Sequence, residues 1–152
     1  MKQAGYTFFA GTIAGVALGL LLKFLQQATG YKVYTLLLNI DYIPVLGSWH
    51  LAEFWEFILH LIVAVVLAFI LMEIAIRRQL IGRTLIKLCI AINIGIAICY
   101  YPITILSERT PSVTSYPSLL LWVGAHALYG LLLGFLLSKN PYIFLKETEK
   151  SD

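Results

Sequence analysis

Four runs of about twenty apolar residues, each closed by charged or polar residues, are what most constrains this chain. At 1.5 Å of rise per residue, a helix of about 20 residues crosses the roughly 30 Å of hydrocarbon in a bilayer. The first run is about Gly5–Leu22 and ends at Lys23, and the second is about Phe54–Ile76 and ends at Arg77-Arg78. The third, about Leu85–Leu106, ends at Ser107-Glu108-Arg109; the fourth, about Ser118–Leu137, is followed by Ser138-Lys139-Asn140-Pro141. Isolated polar groups inside the runs do not interrupt them, because a helix satisfies its own backbone in lipid. Composition agrees. Of 152 residues, 60% are hydrophobic and only 12% charged, where a soluble domain carries about 25% charged. A chain this short cannot hide so much apolar surface in its own core. The prediction is an all-α, polytopic four-helix transmembrane bundle forming one domain over residues 1–152, with a cytoplasmic tail over 138–152.

Orientation follows from charge. Lys2, Arg77, Arg78, Arg83, Lys87, Lys139, Lys146 and Lys150 fall on one side of a four-span arrangement, and Lys23, Lys32 and Arg109 on the other. Cytoplasmic segments carry the excess of Lys and Arg, so eight against three predicts both termini inside a plasma membrane. The first run is too long for a signal-peptide core and lacks a small-x-small cleavage site in Phe24-Leu25-Gln26-Gln27-Ala28, so it reads as a retained span.

The long connection, about Lys23–Glu53, then lies outside. It is too apolar to stay solvated, with Tyr31, Tyr34, Leu36, Leu37, Leu38, Ile40, Tyr42, Ile43, Val45 and Leu46. Tyr favours the membrane interface, which predicts an interfacial helix near Val33–Ile40 and a turn at Asp41-Tyr42-Ile43-Pro44.

Several functions find no support in the residues. The cations form no tract interleaved with aromatics, which argues against nucleic-acid binding. Cys89 and Cys99 are ten residues apart within an apolar run, so neither a redox pair nor a zinc site is indicated. No nucleophile triad, phosphate-cradling loop or zincin motif occurs, and an enzyme is not expected.

Helix packing is written more plainly. Gly11, Gly15 and Gly19 lie four apart on one face, with Lys23 continuing the ridge, and His126, Gly130 and Gly134 form a similar face on the fourth span. Small residues at this spacing let backbones approach. The faces can meet each other, a second copy, or a larger membrane complex. Asn93 is expected to bond between helices. Glu73, four residues before Arg77, suits an i,i+4 ion pair.

The ionisable residues of the spans gather toward the outer half. Glu53, Glu56 and His60 share one face of the second span, about 60° wide. His126 sits about two turns into the fourth span, at the depth of His60. Tyr100 and Tyr101 approach the same level, Pro102 is positioned to kink the third span, and Lys23 caps the first. Ionisable groups in lipid are costly enough to predict a shared polar pocket of Lys23, Glu53, Glu56, His60, Tyr100, Tyr101 and His126.

Three readings of that pocket are open. Its side chains can be polar glue between helices, a pH-responsive or small-ligand site built on groups that titrate, or a metal or haem site. Two histidines at one depth suit two axial ligands of a haem electron carrier. The leading reading needs no cofactor, takes the bilayer as partner, and leaves a homo-oligomer or accessory role in a complex open.

The Gly-rich first helix ending in Lys (Gly11–Lys23), the His embedded in the second (His60), the Tyr101-Pro102 step and the Gly124–His126 segment together resemble the YagU-type and YqhR-type families of small bacterial inner-membrane proteins. The resemblance covers most of the chain. It implies a four-helix bundle in a bacterial plasma membrane, with an acid-stress association for the YagU type.

Overall fold

The computed structural model describes residues 2–40 and 51–140. The turn expected at Asp41-Tyr42-Ile43-Pro44, and the tail with Lys146 and Lys150, lie outside the described residues. Among those described, every regular element is helical: α1 Lys2–Thr29, α2 Val33–Leu38, α3 Glu53–Arg78, α4 Gly82–Tyr100 and α5 Tyr116–Ser138, with a 3₁₀ helix Tyr101–Leu106 after α4. Four of them, counting α4 with its 3₁₀ extension, are long and apolar enough to cross a membrane.

Two ends differ from the expectation, each for a local reason. Lys23 closes the apolar run but not the helix, because nothing in Phe24–Thr29 breaks one. α1 continues for another turn and a half to Gly30, whose φ of +76° a side chain would resist. The extension has a use. Gln26 Oε1 accepts the amides of Tyr34 and Thr35 at 2.9 Å each, and its Nε2 donates to Thr35 Oγ1 at 3.1 Å, so α1 caps the start of α2. At the other site, Pro102 ends α4 rather than kinking it. Without an N–H it cannot donate to the carbonyl one turn back, and the chain tightens into the 3₁₀ helix. α3 closes on Gln79 in the left-handed region (φ 54°), with the Leu80 amide donating to the Ala75 carbonyl at 2.9 Å.

The helices pack as two antiparallel pairs, α1 with α3 and α4 with α5, joined along α1 and α5. α3 and α4 are joined by a three-residue turn yet scarcely touch. The glycine ridges explain the pairing. A Cβ on Gly11 would lie 2.9 Å from Ala68 Cβ and 3.0 Å from Val65 Cα; on Gly15, 2.8 Å from Ala64 Cβ; and Gly19 faces the Phe57 ring. On α5, a Cβ at Gly130 would meet the Cys89 carbonyl oxygen at 2.7 Å, and one at Gly134 would meet Ile86 Cα at 2.8 Å. Both ridges are therefore filled from within the chain.

Polar bonds reinforce the two central helices. Trp122 Nε1 donates to the Ala97 carbonyl at 3.1 Å, and the Tyr6 hydroxyl donates to the Leu136 carbonyl at 3.1 Å. Asn93 differs from expectation: its Nδ2 donates to the Cys89 carbonyl of its own helix, at 2.8 Å. Four residues apart, the amide folds back on the preceding turn more readily than it reaches a neighbour. Glu73 and Arg77 form the i,i+4 pair, at 2.6 Å.

Candidate functional site

The seven residues expected to share one pocket stand at one end of the helices, but they divide into separate groups. The first is a corner where α1, α2 and α3 meet. Lys23 Nζ lies 2.6 Å from Glu53 Oε1, the Tyr34 hydroxyl donates to the same oxygen at 2.9 Å, and Lys23 also sits over the Tyr34 ring. Burial pushes the Tyr34 phenol well above its ordinary value, and the neighbouring carboxylates Glu53 and Glu56 push it further. Tyr34 therefore remains a donor across the physiological range. Lys23 and Glu53 keep much of their surface in solvent, so this corner contributes modestly to stability.

The second group is a clasp. Glu56, one turn deeper on α3, is only 5% exposed. Its carboxylate accepts from the Arg109 guanidinium at 3.3 and 3.4 Å. Arg109 stands on the segment between the 3₁₀ helix and α5. The pair thus joins the α1–α3 half of the molecule to the α4–α5 half, across the side where α3 and α4 do not pack. Its arginine is half-exposed and its acid buried, so removing the arginine leaves a buried carboxylate behind.

The histidines lie inward of both. His60 Nε2 is 3.1 Å from the Gly15 carbonyl, across the same glycine ridge that brings α1 against α3. His126 Nδ1 is 2.9 Å from the Trp122 carbonyl of its own helix, and its ring lies 4.1 Å from that of Trp122. Carbonyls only accept, so each of these nitrogens carries the proton. Tyr100 stacks on Trp122, and the Tyr101 hydroxyl turns away to the Ser112 and Ser115 carbonyls at 3.2 and 2.9 Å, fastening the loop before α5.

Among the described residues no group of three or more His, Cys, Asp or Glu side chains is placed to hold a metal ion.

Sequence reasoning missed Arg109 and Tyr34 as members of the site. Arg109 entered only as a charge on the outer side and Tyr34 only as an interfacial aromatic, because their partners are 53 and 19 residues away. It also missed Tyr129. This residue is 4% exposed, and its hydroxyl finds no hydrogen-bond partner among the described residues. An orphaned hydroxyl costs about 1–3 kcal/mol. Tyr129→Phe, which keeps the ring and removes the orphan, is expected to raise the unfolding midpoint of the purified protein in detergent. A lowered midpoint would mean the hydroxyl has a partner.

Compared with family models, with curated proteins and with solved structures, the chain matches none. Fold and site define an all-helical protein with four helices long and apolar enough to span a membrane, its polar groups tied across helices at one end.

Proposed function

We propose that this chain is a non-enzymatic, four-span plasma-membrane protein with both termini in the cytoplasm and an outer end held closed by an ion pair between its two halves. The antiparallel packing supports the orientation. It gathers Lys2, Arg77, Arg78, Arg83, Lys87 and Lys139 at one end and leaves Lys23, Lys32 and Arg109 at the other. α2 then lies on the outer side of the membrane.

The observation that carries the reading is the Glu56–Arg109 pair. Glu56 is faced by Arg109 from the loop and by Tyr34 from α2, with Glu53 and His60 a turn away on its own helix. Removing the Glu56 charge releases Arg109. The outer ends of α3 and of the α4–α5 half are then free to part, since α3 and α4 have little other contact. Parting them gives water a path toward His60 and His126.

Hydrogen–deuterium exchange on the full chain in lipid nanodiscs tests this. At neutral pH, amides of residues 107–115 are expected to exchange faster in Glu56→Gln, which keeps the side chain's shape and removes its charge, than in wild type. Equal protection of the two would sink the reading.

A further inference from the structure

The turn between α3 and α4 carries a charge pattern that the proposed clasp does not use. Arg77 is neutralised by Glu73, but Arg78, Arg83 and Lys87 are all exposed. None of the three has an ion-pair partner among the described residues. Arg83 and Lys87 are one turn apart on α4, and Gln79–Ile81 brings Arg78 round to the same end.

What lies along α4 beyond these cations identifies the occupant. At 100° per residue, Arg83, Lys87, Ile94 and Ile98 fall within a stripe about 60° wide. The stripe runs on the flank of α4, beside the face of Ile86, Cys89 and Ile90 that meets the α5 glycines and bordering it at Ile90. Ile94 is half-buried and Ile98 is 54% exposed, so the stripe is open along its length. From Lys87 to Ile98 the helix rises about 16 Å. That is close to half of the roughly 30 Å hydrocarbon core, the depth of one leaflet. A basic head followed by an apolar rail one leaflet long is the complement of an anionic headgroup with its acyl chain. A soluble anion would use the head and leave the rail idle.

We infer that the α3–α4 turn and the adjoining flank of α4 hold an anionic phospholipid of the leaflet at the basic end, its phosphate against Arg83, Lys87 and Arg78 and a chain along Ile94 and Ile98. The inference rests on the membrane reading above, and its test separates the two.

The full chain, purified in detergent, is titrated with phosphatidylglycerol or with phosphatidylcholine of the same acyl chains, and bound lipid is counted by native mass spectrometry. Wild type should prefer phosphatidylglycerol by on the order of tenfold, as expected for cations contributing individually at a lipid surface. The double variant Arg83→Gln/Lys87→Gln should lose that preference. Lys2→Gln/Lys139→Gln, which removes the same charge from the same end, should keep it. An equal loss in both doubles would reduce the effect to net charge and overturn the site. Displacement of the lipid by millimolar glycerol phosphate would overturn it too, by making the site one for a free phosphate. Carbonate extraction of all variants from membranes reports on the membrane reading alone. A chain that is extracted fails that reading, whereas one that stays embedded without lipid preference fails only this inference.

Discussion

Gly130→Ala is expected to destabilise the protein by about 1–3 kcal/mol, the range for forcing a methyl into a filled interface. The reason lies in what the methyl would meet. Its position is 2.7 Å from the Cys89 carbonyl oxygen and 2.8 Å from Ile90 Cα, both backbone atoms that cannot rotate aside. α4 as a whole has to withdraw, and with it the Trp122–Ala97 bond and the contact at Gly134. Gly124, on the same helix, provides the control. Nothing stands within 4 Å of a Cβ there, so Gly124→Ala should be neutral or slightly stabilising through helix propensity. Unfolding by SDS titration of the purified protein measures both. Equal midpoints for the two variants would contradict the close packing of α4 on α5.

Arg109→Ala should cost about 2 kcal/mol at neutral pH, because it leaves the Glu56 carboxylate buried without its counter-charge. The larger losses known for buried pairs are not expected here. The guanidinium is half in solvent, and its two contacts are long, at 3.3 and 3.4 Å. Arg109 has other contacts, so the pair is isolated by a double-mutant cycle with Glu56→Gln. A coupling energy near zero would remove the clasp from the account of this protein.

The two predictions probe different kinds of legibility. The glycine ridges could be read directly, since a four-residue spacing puts small residues on one face whatever they meet. Their partners could not, because the facing residues Ala64, Ala68, Cys89 and Ile90 carry no signal of their own in a run of apolar residues. That the polar cluster lies toward one end of the helices was legible. Its division was not: His60 spends its donor on Gly15 and Tyr101 on Ser112 and Ser115, and backbone carbonyls leave no trace in a sequence.

Four apolar runs and the placement of eleven basic residues were enough to determine that the chain is helical, has four helices of spanning length, and carries its cations unevenly between the two ends. Those properties follow from length, hydropathy and charge, each of which is additive along a chain. Which helices pair was decided only in three dimensions. The short turn after α3 would suggest an α3–α4 hairpin, yet α3 lies on α1 and α4 on α5, because the glycine faces allow closer backbone approach than the β-branched flanks of α3 and α4. The clasp between Glu56 and Arg109 is a consequence of that pairing. It ties the side along which, among the described residues, α3 and α4 have little contact.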